Sequence, residues 1–306
     1  MKKLLTGLEV SAASVKMAQI VRDRHAWKLA NYGEVPFPEE TLDVSNKDIN
    51  VVNPESFVRT VRGALKLGER RVSRIGLALP NEILKISVYN FDELPKSKAR
   101  IRDMIVWKEK EMMPYPLDKS RIAYTIFDHS PDAKKRVIAA ICLRDIILDY
   151  ETHLRRIRLY PETLIPSAIS HLNLYLNQLP ATGTHGFLGI FETYFSFFVI
   201  EDGYPSFYRG KRRQSHIVRF LQEISLTTRL YCSENPGKQI ETLYLQSQVP
   251  LPQDFERDVA QDFDGETAVL EEASLLAPDP ALQEGGKAVG LEAYAAAIGA
   301  AQSLVR

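Results

Sequence analysis

The first stretch of this 306-residue chain with the makings of a chemical site is Gly7-Leu-Glu-Val-Ser-Ala-Ala-Ser-Val-Lys16. An apolar strand enters a small-residue turn and leaves again. The turn Ser11-Ala12-Ala13-Ser14 puts backbone N–H groups and two hydroxyls at its tip, with Glu9 before it and Lys16 beyond. Successive amides, hydroxyls and a nearby cation are what a phosphate group needs. Taken plainly, the same residues make an ordinary β-hairpin, because the closest approach of backbone to phosphate normally needs glycine and this turn has none.

Other chemistry is excluded by spacing. Gly203 to Lys211 imitates a P-loop, but six residues separate its glycines and Arg212 stands where Ser or Thr would bind Mg²⁺. His25, His129, His153, His171, His185 and His216 show no zinc-ligand spacing, and no Gly-x-Ser-x-Gly elbow occurs. Neither a catalytic residue nor a metal site is expected. Cys142 and Cys232, both in apolar surroundings and without a CxxC pair, are expected to be buried thiols in a reducing cytoplasm.

Lys plus Arg and Asp plus Glu both number 39, so no net field recruits nucleic acid or an anionic membrane and only local clusters remain for either. Lys211-Arg212-Arg213, with Tyr204, Phe207 and Tyr208 nearby, is such a cluster, and it is expected to be a solvated hairpin end rather than a nucleic-acid site. Glu9 interrupts the opening apolar run too early for a signal peptide, and no later segment is long and uncharged enough to span a bilayer. A soluble, cytoplasmic protein is the expectation.

The elements that must position the first hairpin follow from periodicity. Leu4 to Val10, Ser14 to Val21 and Ala26 to Tyr32 form an antiparallel meander. Asn53 caps a helix that starts at Pro54 and stops at Gly68. The charged Glu69-Arg70-Arg71 leads to strands at Arg74 to Pro80 and Leu84 to Phe91, then to a helix from Ser97 with Ile101, Met104 and Ile105 as its buried stripe. Tyr124 to Phe127 and Val137 to Leu143 are further strands, and helices follow Asp145 and Pro166. At Gly186 the opening pattern returns as Phe187 to Phe191, Tyr194 to Ile200 and Ser206 to Tyr208. A duplicated meander followed by helices makes an α/β chain of two lobes. The stretch Ala277-Pro-Asp-Pro280 to Gly285-Gly286 reads as a loop, and the Ala-rich Leu291 to Leu304 as a helix packed on a lobe.

Several of these stretches together resemble a known family. Gly7 to Lys16, Leu79-Pro80, Trp107-Lys-Glu-Lys-Glu-Met-Met-Pro-Tyr-Pro-Leu117, Val137-Ile-Ala-Ala-Ile-Cys-Leu143 and Tyr294-Ala-Ala-Ala-Ile-Gly299 look like PilM, the actin-like assembly proteins of type IV pili. The resemblance implies an FtsA-like actin fold. It implies lobe 1 at 1–71 and 151–185, an inserted subdomain at 72–150 and lobe 2 at 186–306 with the C-terminal helix. It further implies an adaptor held at the inner membrane through the N-terminal peptide of a PilN-like protein, coupling it to motor ATPases. The cytoplasmic domain of the secretion protein GspL is similar.

The departures bear on the cofactor. Glu9 and Ser11 stand where PilM-like turns usually carry Asp and Gly, so Glu9, Ser11, Ser14 and Lys16 form at most a vestigial phosphate site. The second Asp-Ile-Gly falls on Gly189, Ile190 and Phe191, unless Glu192 replaces the aspartate by a shifted register. The expected Gly-Gly adenosine loop reads Gln246-Ser247-Gln248-Val249-Pro250. No cofactor is expected, ATP with Mg²⁺ being the alternative if the degraded site still binds. Trp107, Met112, Met113 and Tyr115 fit the buried stripe of their helix poorly and are the expected partner-binding face, since methionines adapt to irregular partners and aromatics anchor them.

Overall fold

The computed structural model describes residues 3–23, 26–68, 72–127, 134–270, 276–278 and 290–305. His25, His129, Glu69-Arg70-Arg71 and the loop end at Gly285-Gly286 lie outside them. The chain folds as two units, one of Met1–Ile83, Asp145–Leu176 and Glu271–Arg306, the other of Leu84–Arg144 and Asn177–Leu270.

In the first unit the expected meander forms as β1 (Leu4–Val10), β2 (Ser14–Asp23) and β3 (Ala26–Pro36). Asn53 accepts from the Ser56 N–H at 3.0 Å and Pro54 opens α1 (Pro54–Lys66), which lies on β2 and β3 through Phe57 and Val61. The strand β4 (Arg74–Leu79) pairs parallel with β1. Five of its six residues are buried, as a strand covered on both faces requires.

The insert of the second unit consists of β5 (Leu84–Phe91), α2 (Lys98–Glu109), β6 (Ser120–Phe127) and β7 (Lys135–Leu143), with sheet order β5-β7-β6. Ile101 and Ile105 press α2 onto this sheet, with half-buried Met104 beside them. The chain then returns to the first unit through α3 (Arg144–Arg155), β8 (Tyr160–Pro166) and α4 (Ser167–Tyr175). β8 pairs parallel with β4 at the sheet edge, where Pro161 is tolerated.

The second unit repeats the plan of the first. Its meander is β9 (Thr184–Ile190), β10 (Tyr194–Glu201) and β11 (Tyr204–Arg212), followed by α5 (Ile217–Glu234), β12 (Thr242–Ser247), α6 (Phe255–Asp262) and β13 (Glu266–Val269). The order β11-β10-β9-β12-β13 reproduces β3-β2-β1-β4-β8 with the same strand directions. Phe195, Phe197, Phe220 and Phe255 fill the core under α5 and α6.

Three placements correct the expected division of the chain. β4 belongs with β1 and not with the insert, because its two-sided burial is met only between β1 and β8. The insert clusters with residues 177–270, where β5 lies against β11. The C-terminal helix α7 (Ala295–Gln302) belongs to the first unit, against β1, β4 and α4. A Cβ on Gly7 would stand 1.9 Å from the Ala297 carbonyl oxygen, and one on Gly76 1.9 Å from that of Ala300. This alanine-rich helix therefore sits directly on sheet backbone that only glycine leaves open. The tail read as loop also supplies a short strand, β14 (Leu276–Pro278), parallel to the start of β3.

Candidate functional site

The β1–β2 turn is built as its sequence suggests, but its polar groups are engaged with one another. The Ser11 N–H donates to the Ser14 carbonyl at 3.0 Å. Ser11 Oγ accepts from the amides of Ala13 and Ser14 at 3.2 and 3.0 Å. Ser14 is buried, and its hydroxyl donates to Glu34 Oε1 at 2.5 Å. A phosphate seated here would have to displace Ser11 from two amides. Glu9, directly across the ladder from Lys16, is 3% exposed.

The β9–β10 turn repeats this geometry with different chemistry. Phe191 N–H donates to the Tyr194 carbonyl at 2.9 Å, as Ser11 does to Ser14. The pairs Val10 with Val15 and Ile190 with Phe195 close the two turns identically, so Gly189 occupies the position of Glu9 and Ser196 that of Lys16. The register is unshifted. Glu192 corresponds to Ala12 at the exposed tip, and its carbonyl accepts from Arg213 Nε and Nη2 at 2.9 and 2.7 Å. Phe191 is buried, and Gln246 and Gln248 are buried too. Gln246 Nε2 donates to the Leu270 carbonyl at 3.3 Å, and the Gln248 amide to that of Ile190 at 2.9 Å. Ser247 Oγ closes a tight turn onto Val249. Each of the substituted positions thus has a structural occupation.

The expected partner face divides in two. Trp107 and Met112 are 76% and 62% exposed, whereas Met113 and Tyr115 are half-buried and Met113 packs on the Ile101–Ile105 cluster. The cause is local: α2 ends at Glu109, and the amides of Met112 and Met113 both turn back to the Glu109 carbonyl, at 3.0 and 3.1 Å. Beyond that tightened turn helical spacing no longer predicts direction. Among the described residues the insert's sheet has β7 at its centre, β5 lying against β11, and β6 at the other edge with no strand paired beyond it.

Two buried carboxylates escaped the sequence reading. Glu109 is fully buried, ion-paired with Lys85 Nζ at 2.6 Å, and accepts from Ser87 Oγ at 2.7 Å and from the Tyr89 hydroxyl. Burial works to raise its carboxyl pKa, but Lys85, Tyr89 and Ser87 together hold it below the ordinary value. The only sequence signal is alternation, because Lys85, Ser87 and Tyr89 share one face of β5. In the second unit, Glu201 at the end of β10 accepts from Tyr231 at 2.7 Å and pairs with Arg136 Nη2 and Lys238 Nζ at 2.9 and 2.6 Å. Burial again pushes its carboxyl up and the Lys238 and Tyr231 partners more than offset it. This network ties β7 of the insert to β10 and α5.

A groove of about 610 Å³ at the far end of α5 is lined by Arg229, Cys232, Lys238, Asp262 and Asp264. Its walls carry both signs of charge and select no single ligand class. Cys232 is exposed, contrary to expectation, because Tyr231 takes the inward position on α5. Cys142 is buried, which pushes its thiol up to about 12. Of the basic hairpin, Lys211 pairs with Glu223 at 2.6 Å and Arg213 is held by the Glu192 carbonyl. No cluster of three or more metal-ligating side chains occurs among the described residues. No helix among them is long and apolar enough to cross a membrane.

No family model and no curated protein matches this chain. Solved structures do. A chain of the PilM–PilN type IV pilus biogenesis complex matches with a TM-score of 0.80 at 14% identity, covering 99% of this chain and 98% of that one. The cytoplasmic domain of EpsL, an inner-membrane component of the type II secretion system of Vibrio cholerae, matches at 0.51 and 10% identity over 98% and 95%. A Bacteroides thetaiotaomicron protein with an actin-like ATPase fold matches at 0.55 and 5% identity over 90% and 93%. With the duplicated strand order and the insert after β4, these likenesses establish an actin-like α/β fold of the kind present in the PilM–PilN complex.

Proposed function

We propose that this chain is a cytoplasmic actin-like adaptor of type IV pilus assembly. It binds the N-terminal peptide of a PilN-like inner-membrane protein, is held at that membrane through it, and passes the connection to the motor ATPases. The observation that carries this reading is the end-to-end likeness to a chain of the PilM–PilN complex. The open edge of β6 supports capture of an extended peptide through backbone hydrogen bonds, and half-buried Met113 and Tyr115 elsewhere on the insert offer apolar side-chain contacts. An adaptor of this kind needs no turnover. The self-satisfied first turn and the missing carboxylate at Gly189 support a protein that neither hydrolyses ATP nor depends on it, since phosphoryl transfer needs a held metal and a positioned water.

The EpsL likeness favours one other reading, an adaptor of type II secretion. Titration with synthetic N-terminal peptides of the PilN-like and EpsL-type partners from the same genome separates the two. The proposal expects saturable binding of the PilN-like peptide, weakened by about 1 kcal/mol or more in Met113→Ala or Tyr115→Ala at any true hot spot. Absence of binding to the PilN-like peptide by a folded protein overturns it.

A further inference from the structure

The carboxylate of Glu109 is seated unevenly. Its Oε1 accepts from Ser87 Oγ at 2.7 Å and from the Tyr89 hydroxyl. Its Oε2 has Lys85 Nζ at 2.6 Å but outside hydrogen-bond geometry, and no other donor reaches it among the described residues. One oxygen is fixed by two neutral hydroxyls, while the other is balanced by charge alone. The pair also differs in exposure, the Glu109 side chain being 1% exposed and that of Lys85 32%. Water reaches the ammonium, whose long stem lets it swing outward, whereas the carboxylate stays where α2 and β5 hold it. The apolar side chains assigned above to the peptide lie close to it. The Met113 amide donates to the Glu109 carbonyl at 3.1 Å. Burial raises the Tyr115 hydroxyl pKa, and Cys142 and Glu109 push it further, so this half-buried ring lies within reach of the Glu109 charge. Lys108 precedes Glu109 in the chain but leans over the Tyr89 and Phe91 rings, at 5.9 and 5.3 Å from their centroids.

We infer that a Lys or Arg side chain of the partner peptide takes the place of Lys85 on Glu109. The inference rests on the adaptor reading above and names the chemistry of its peptide. The cytoplasmic tail of an inner-membrane protein carries an excess of Lys and Arg near the membrane. Such a peptide needs a carboxylate to receive it where Met113 and Tyr115 supply apolar contact. Glu109 is the buried one there, and a desolvated, oriented carboxylate discriminates in a way that an exposed acid such as Glu111 does not. In the free chain Lys85 holds the place, because a buried carboxylate left without a cation is strongly destabilising. Binding is then an exchange of cations. Lys85 returns to water, and the incoming group gives Oε2 a charge-assisted hydrogen bond as well as a counter-charge.

Calorimetric titration of the full chain with the PilN-like N-terminal peptide tests this, using a peptide series in which each Lys or Arg in turn becomes Gln. One position should carry the effect. Its loss should weaken binding at least about tenfold, short of the full penalty for an unpaired buried charge because Lys85 returns. In Glu109→Gln that position should no longer matter. Lys85→Met gives the decisive sign: with the internal competitor gone, the unmodified peptide should bind several-fold tighter and raise the unfolding temperature more than it does for the parent protein. A pair that serves only to anchor α2 predicts unchanged or weaker binding. Circular dichroism confirms the fold of each variant, and should Lys85→Met not fold, the peptide series and Glu109→Gln still decide. Equal binding across the peptide series, a position effect that survives in Glu109→Gln, or a folded Lys85→Met that binds no tighter overturns the inference. In each of these cases the peptide still binds and the adaptor proposal stands, whereas absence of all binding removes both.

Discussion

Replacing Glu201 with glutamine should destabilise the second unit by about 3–5 kcal/mol, the range for breaking a buried ion pair from one side. The side chains of Glu201 and Arg136 are only 7% and 3% exposed and lie 2.9 Å apart, so water does little of the screening that makes surface pairs weak. Glutamine keeps the size and one acceptor, enough for the Tyr231 hydroxyl at 2.7 Å, but turns an amide N–H₂ toward donors. Lys238, 44% exposed on its side chain, can swing into solvent. Arg136 cannot, and it retains only the Glu201 backbone oxygen at 3.1 Å from this partner. Arg136→Met should cost less, about 1–3 kcal/mol, because the carboxylate keeps Lys238 and Tyr231. The double variant should cost clearly less than the sum of the two. Urea unfolding followed by circular dichroism reads all three. A cost below about 1 kcal/mol for Glu201→Gln would refute the picture of a desolvated charge network joining β7 to β10. The acid side gives an independent check. The Glu201 carboxyl sits below its ordinary value in the folded state, so its contribution is full above the unfolded value and fades as pH falls through the folded one. The variant should lack that part of the acid limb.

Gly76→Ala should cost about 1–3 kcal/mol or more, since the new Cβ meets a backbone oxygen that cannot move without lifting α7, and thermal unfolding reads it. Under native conditions a thiol reagent should titrate Cys232 fast and Cys142 only on unfolding; fast reaction of both would mean that β7 is not the buried centre of its sheet. Purified protein should release phosphate from ATP no faster than a Glu9→Ala/Lys16→Ala control, and turnover that vanishes in the control would restore an enzymatic reading.

Much of the fold is legible because local and global signals agree. The three opening strands alternate strand and turn residues, and Asn53-Pro54 states a helix start in two residues. β8 is harder to see, since Pro161 and Pro166 argue against a strand until its edge position is known. The composition of α7 announces close packing, but only the glycines of β1 and β4 reveal on which sheet. At the candidate site, residue types show that the phosphate motif is degraded, while the engagement of the Ser11 and Ser14 hydroxyls is a fact of three dimensions. Trp107 and Tyr115 look alike in sequence because helical spacing carries no sign that the helix ends at Glu109, where the chain tightens. Glu109 and Glu201 carry no mark in the sequence, since nothing local announces that Lys85 or Arg136 will meet them indoors.

The central claim, a peptide-binding adaptor that works without nucleotide, is tested most directly by calorimetric titration of the full chain with the N-terminal peptide of its PilN-like partner, with and without Mg²⁺ and ATP. The account predicts saturable binding with the same affinity in both conditions. Binding that appears only with ATP, or no binding in either, would contradict it.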